Sequence, residues 1–214
     1  GTAFAVSDTP THDASGSVAG FADATGRYLP LVCTLNAARI LDAACRILGK
    51  THDEVATLAL AAKPGANGLT LLPYFEGERT PNRPTATGVF AGMNLNNSNP
   101  EDIARAMVEG MLAGLADAVD ALVALGVGVN RILLIGGAAK NPAVPAIASA
   151  LFGREVLVPP AGEYVADGAA KQAAWALLGR LPTWDLGEVS HHKSEATPEV
   201  MMRYRELKNN TQNW

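Results

Sequence analysis

The chain has 214 residues, 48% of them hydrophobic and 18% charged, and a formal net charge of -4. This excludes a disordered chain and leaves room for one large domain or two small ones, with a real core. No lysine/arginine cluster marks a nucleic-acid surface, no run approaches the ~20 apolar residues of a membrane span, and no charged-then-apolar leader opens the chain.

The opening, Gly1-Thr2-Ala3-Phe4-Ala5-Val6, reads as a strand with no lead-in and no initiator Met, as in a piece of a longer protein. Residues 2–7 form this strand, and "SDTPTHDASGS" after it is turn material. Val18 to Ala22 is a second strand. Tyr28 to Leu35 is a third, in which Pro30 lacks an N–H and favours an edge or an early position. Tight turns between the three imply an antiparallel meander. Asn36 is expected to cap a helix whose Ile40, Leu41, Ala44, Ile47 and Leu48 share one face and which Gly49 closes. Helical spacing returns from Asp53 to Ala62. A turn, "KPGANG", leads to the strand Leu69 to Phe75, the loop "EGERTPNRPTATG" and the short strand "VFAGM".

Asn99-Pro100-Glu101-Asp102 opens the longest helix, which runs to about Leu125. Cap, N1 proline and acidic first turn all suit the helix dipole. Ala106, Gly110 and Gly114 repeat at four-residue spacing, a stripe that lets another element come close. Then follow strand Ile132 to Ile135, helix Pro142 to Phe152, strand Glu155 to Val158, helix Ala166 to Leu178 and a last amphipathic helix over 196–208. The polar residues 209–214 are expected to fray. A meander followed by alternating strands and helices implies an α/β fold with a mixed sheet. A single domain over 1–208 is the simplest division.

The stretch "RILLIGGAAKNPAV" ends an apolar run at Gly136-Gly137. Two glycines after a buried strand let a ligand approach the backbone, and the amides of the next helix would face it. It is neither Gly-x-Gly-x-x-Gly nor a P-loop. An ordinary tight turn accounts for the same spacing. Thr2 reads as a strand-forming threonine. Glu76 and Glu78 could do acid/base work, but Arg79 beside them points to a loop pinned by an ion pair. His191-His192 lies in a polar loop with no ligand-spaced partner, and the histidines support no Ser–His–Asp arrangement. Cys33 and Cys45 are expected to be free thiols, as in a reducing cytoplasm. No catalytic residue and no metal ligand is assigned.

Several stretches together resemble the FGGY family of sugar kinases. "LPYFEGERTPNRP" resembles a loop of its xylulose kinases. "GVFAGMNLNNSNPEDIARAMVEG" resembles the second signature of the family, "LLIGGAAKNPAVPAIASALFG" its adenine-site segment and "EYVADGAAKQAAWALLG" its closing helix. Gly1-Thr2 resembles the start of its "GTSG" phosphate turn. The resemblance implies an actin-like, ribonuclease H-like fold with helices on both faces of the sheet. It implies that this chain is the C-terminal, ATP-holding half of a kinase for D-xylulose. The other half would hold the ketose sugar and a catalytic aspartate, so this chain alone is expected to be inactive. Position by position, Thr2 would touch the terminal phosphates, with Gly1 allowing the approach. Gly136, Gly137 and Ala138 would line the nucleotide by backbone. Asn141 would contact the adenine end, and Ala37 would form the other wall of the base pocket. ATP with Mg²⁺ is the implied cofactor, in the cytoplasm; a homodimer is the assembly considered. Alternatives are a kinase for gluconate, ribulose or glycerol, and a non-catalytic actin-like nucleotide-binding module. At two places the sequence departs from the family. Ala3-Phe4 follow Gly1-Thr2 where Ser-Gly is usual, and Ala38-Arg39 stand where Gly-Gly is common.

Overall fold

The structure, a computed structural model, describes residues 1–185 and 187–212. Its first three strands are β1 (Thr2–Phe4), β2 (Ala19–Ala22) and β3 (Tyr28–Cys33). They are antiparallel in the order β1-β3-β2, with Thr2 opposite Cys33 and Ala19 opposite Leu31. Pro30 was expected at an edge or an early position; β3 is the central strand, and Pro30 is its third residue. The Pro30 carbonyl accepts from the Ala5 N–H at 3.2 Å, and the ring has no N–H to return. β1 ends at Phe4, so the missing donor falls where this ladder stops.

Next come α1 (Arg39–Leu48), α2 (His52–Ala61), β4 (Thr70–Leu72), β5 (Val89–Ala91) and α3 (Pro100–Ala124). α1 begins later than expected. Its N-cap is Ala38, with no side-chain cap, and Asn36 is used elsewhere. Its buried face is Ile40, Leu41, Ala43 and Ala44, and Leu48 still packs on the core, whereas Ile47 is exposed. α2 is opened by a capping box, in which Thr51 accepts from the Glu54 N–H and the Glu54 carboxylate accepts from Thr51 N–H.

α3 is the spine. Asn99 Oδ1 accepts from the Asp102 N–H at 2.9 Å, with Pro100 in the first turn. Along its length α3 packs on α1, α2, β1, β3 and β4. The small-residue stripe works at Gly110. A Cβ there would lie 2.6 Å from the Leu71 carbonyl oxygen, so β4 rests its backbone directly on the helix. One core gathers α1, α2, β4 and α3 around Leu41, Val55, Leu72, Met107 and Leu112. A second lies under the first sheet, where Ala3, Val18 and Val32 meet Ala118, Leu122 and Val127.

The chain then forms β6 (Ile132–Leu133), α4 (Ala143–Phe152), β7 (Val156–Val158), α5 (Tyr164–Leu178), β8 (Ser190–His192) and α6 (Pro198–Asn210). β6 and β7 pair in parallel across the α4 crossover, and β8 lies antiparallel beside β7, which makes this sheet mixed. His191 and His192 therefore sit in a strand, not a loop. His191 Nδ1 lies 3.0 Å from Glu155 Oε1, a partner that sequence spacing hid. α6 runs two residues past its expected end, and Thr211 beyond it is buried, its hydroxyl 3.2 Å from Arg83 Nη1. The fraying expected at residues 213–214 lies outside the described residues. No helix among the described residues is long and apolar enough to cross a membrane.

Candidate nucleotide site

Two corners collect the residues singled out in the sequence. At the first, Gly1 lies directly against the segment that opens α1. A Cβ on Gly1 would come within 2.9 Å of Ala37 Cβ and 3.0 Å of Thr34 Oγ1. The Thr34 N–H donates to the Gly1 carbonyl at 2.8 Å, which extends the β1–β3 ladder by one residue. Thr2 is in the strand, exposed, with its hydroxyl 3.7 Å from Cys33 Sγ.

Below this corner lies a buried polar hub that sequence reasoning missed. The Asn36 side chain donates from Nδ2 to the Gly77 carbonyl at 2.6 Å and to Glu78 Oε2 at 3.0 Å, and accepts at Oδ1 from the Phe75 N–H at 3.1 Å. Glu78 is 3% exposed. It also accepts from the Leu35 and Arg79 N–H groups, both at 2.7 Å. The loop was expected to be pinned by an Arg79 ion pair, but among the described residues Arg79 makes none. Backbone amides satisfy Glu78 instead, and the ion pair nearby is Arg39 with Glu76. A buried carboxylate needs several donors at once, and amides converging from two segments supply them.

The second corner is the glycine turn. The Leu134 N–H still donates to the Leu157 carbonyl at 2.9 Å, and the chain then leaves the sheet. Gly136 has φ 98°, a left-handed conformation that favours glycine. Gly137–Lys140 form one 3-10 turn between the glycine pair and α4. Nothing lies within 4 Å of where a Cβ on Gly136 or Gly137 would stand. Ala138 packs on the main core. Asn141 is 9% exposed, with Oδ1 accepting from the Ala143 N–H at 3.0 Å and Nδ2 donating to the His52 carbonyl at 3.4 Å. The turn is thus anchored at Ala138 and Asn141 and bare at its two glycines. His52 links the corners, because its Nε2 lies 3.1 Å from Asp42 Oδ1 in α1. Gly1 and Ala37 meet at one corner and Gly136, Gly137, Ala138 and Asn141 at the other. Asp42–His52–Asn141 bridges them.

Among the described residues no three His, Cys, Asp or Glu side chains converge as metal ligands. Cys33 and Cys45 are free thiols, both partly buried.

The C-terminal domain of the FGGY family of carbohydrate kinases matches residues 5–177. The chain belongs to this family. A xylulose kinase of Streptomyces rubiginosus is 39% identical over 183 residues, which is 85% of this chain and 36% of that protein. The crystal structure of a xylulose kinase from Bifidobacterium adolescentis is 50% identical and superposes with a TM-score of 0.87, covering 97% of this chain and 41% of that one. A Plasmodium falciparum glycerol kinase solved with ADP, 17% identical, superposes on all of this chain and 46% of its own with a TM-score of 0.78, a likeness of fold. The fold is accordingly the actin-like ATPase fold, and this FGGY domain spans between a third and a half of the length of the relatives it matches.

Proposed function

We propose that this chain is the nucleotide-binding part of an ATP-dependent sugar kinase that, in its intact form, phosphorylates D-xylulose. The observation that carries the reading is the bare glycine turn. A strand end, a backbone with open space at Gly136 and Gly137, and two anchors at Ala138 and Asn141 form a ledge for a flat or anionic ligand. The relatives that are 39% and 50% identical are both xylulose kinases, which supports that sugar over gluconate, ribulose or glycerol. ATP, when bound with Mg²⁺, supplies the phosphoryl group for a ketose hydroxyl. Gly136, Gly137 and Ala138 line the nucleotide by backbone. Asn141 keeps one Nδ2 hydrogen and one Oδ1 lone pair for the adenine end. Ala37 forms the facing wall, and Gly1 and Thr2 lie toward the phosphates, where Thr2 offers an exposed hydroxyl. The domain runs through residue 208 and works in the cytoplasm, where ATP is abundant and Cys33 and Cys45 stay reduced.

Titration calorimetry with ADP tests the site. Gly137 is not at positive φ and has free space around it, so Gly137→Leu is compatible with the fold while it fills the ledge. The variant is expected to bind ADP at least tenfold more weakly, about 1.4 kcal/mol or more, with an unchanged Tm. Unchanged affinity would remove the turn from the nucleotide site.

A further inference from the structure

The loop after β4 is tied down more firmly than a connector needs. Phe75, Gly77 and Glu78 share four hydrogen bonds with Leu35 and Asn36, just before α1. Glu78 and Arg83 exchange both backbone N–H···O bonds, each at 2.8 Å, which closes the loop on itself. The centre of this clamp is a buried carboxylate, a costly group to enclose unless several donors converge on it. What the clamp holds is Arg79. Glu78 Oε1 accepts from the Arg79 N–H and from the Leu35 N–H, both at 2.7 Å, so the two amide nitrogens are no farther apart than twice that length. Leu35 follows Thr34, whose N–H donates to the Gly1 carbonyl at 2.8 Å. The backbone of Arg79 is thereby fixed beside the corner where Gly1 and Thr2 stand.

The head of the side chain is left over. Arg79 is exposed, and among the described residues its guanidinium has no hydrogen-bond or ion-pair partner. The other guanidinium at this corner, that of Arg39, is held by Glu76. A cation on a rigid backbone with an unused head is preorganised for a ligand. Its planar fork of N–H donors matches phosphate oxygens two at a time. The nucleotide site as built so far offers backbone, a hydroxyl and an amide, and no positive charge, although phosphoryl transfer depends on cations aimed at the charge of the moving group. We propose that Arg79 contacts the terminal phosphates of the bound nucleotide together with Thr2, and that the Glu78–Asn36 clamp presents it there. The inference rests on the nucleotide reading above and adds to that site its cation.

Titration calorimetry with Mg-ATP and with AMP tests it, on the complete product of the reading frame and with no sugar present. AMP keeps the base, the ribose and one phosphate and lacks the terminal ones. Arg79→Ala is expected to weaken ATP at least fivefold and to leave AMP affinity and Tm unchanged. Arg79→Lys keeps the charge without the fork and is expected to recover part of the loss. A preference for ATP over AMP that survives Arg79→Ala overturns the proposal. So does an equal loss for the two nucleotides, because the arginine then acts on the pocket as a whole. If Gly137→Leu weakens both nucleotides and Arg79→Ala weakens neither, the nucleotide reading stands and this inference alone falls. A parent protein that binds neither nucleotide overturns both.

Discussion

Glu54 and Glu78 are both carboxylates held by backbone amides, and burial separates them. Glu78 is enclosed and spans two segments. Glu54 stands in solvent at the start of α2, where the Thr51 N–H donates to it at 2.9 Å and the Lys50 ammonium lies 3.1 Å away. The Thr51 amide first, then Lys50 and the Thr51 hydroxyl, lower the Glu54 carboxyl to about 2. The unfolded reference is about 4.3. The folded value is the lower one, so the contribution of Glu54 is present above about pH 4.3 and is lost as pH falls through about 2. Glu54→Ala is expected to melt below the parent at pH 7, with the gap closing between pH 4.3 and pH 2. A gap that stays constant across that window would show that the carboxylate charge is irrelevant to the cap. The Thr51-x-x-Glu54 pattern is readable from local sequence, because both partners lie within one helical turn. Asn36 is not readable in that way. It stands just before an apolar helical run, where a cap belongs, yet its partners Gly77 and Glu78 lie 41 and 42 residues away. Nothing local distinguishes an asparagine that caps from one that staples a distant loop. The same holds for Glu78, whose neighbour Arg79 suggested a pairing that the converging amides made unnecessary.

At the scale of elements, the small-residue stripe of α3 was legible, but its members are not equivalent. A Cβ on Gly110 would meet backbone, the Leu71 carbonyl oxygen at 2.6 Å, whereas a Cβ on Gly114 would lie 3.5 Å from the Tyr204 hydroxyl, an ordinary contact. Alanine gains up to ~1 kcal/mol over glycine inside a helix, and overpacking a core costs ~1–3 kcal/mol. At Gly110 the clash is with a buried strand backbone that cannot swing aside, so overpacking wins. Gly110→Ala is expected to destabilise the domain by about 1–2 kcal/mol in urea unfolding, while Gly114→Ala is neutral or stabilising by up to ~1 kcal/mol. The reverse order would mean that β4 does not rest on α3 as described. The run Ile132 to Ile135 shows the opposite limit. Four apolar residues read as a buried strand, but β6 has two residues, and Leu133 and Ile135 are 43% and 40% exposed. An apolar run records what a segment would bury and is silent on whether another element arrives to cover it.

For the molecule as a whole, the change from a strand-rich opening to alternating strands and helices carried the α/β class, because that pattern follows from periodicity alone. Which strands pair does not, and the described residues form three separate sheets, with β3 central in the first and β4 with β5 standing alone. Pairing depends on register across loops of unequal length, and α3 packs on the first two sheets through β1, β3 and β4. The same view bears on activity. Phosphoryl transfer to a sugar needs the hydroxyl positioned and a base within reach of its proton. Burial pushes the carboxyl of Glu109 up, opposed by Arg105 and by the Gly65 amide. The shift comes from enclosure, and enclosure also denies the group access to a substrate. It is 3% exposed, with Arg105 Nε at 2.5 Å and the Gly65 N–H at 2.9 Å, so no sugar reaches it. Glu78 is likewise occupied by its amides. These two enclosed carboxylates hold the fold and are closed to a substrate hydroxyl. The 214-residue chain, given ATP, Mg²⁺ and D-xylulose, is therefore expected to release no ADP above the buffer rate in a coupled assay. The complete product of its reading frame should turn over in the same assay. Xylulose-dependent ADP release by the 214-residue chain alone would place a working base within these residues and overturn the division of labour.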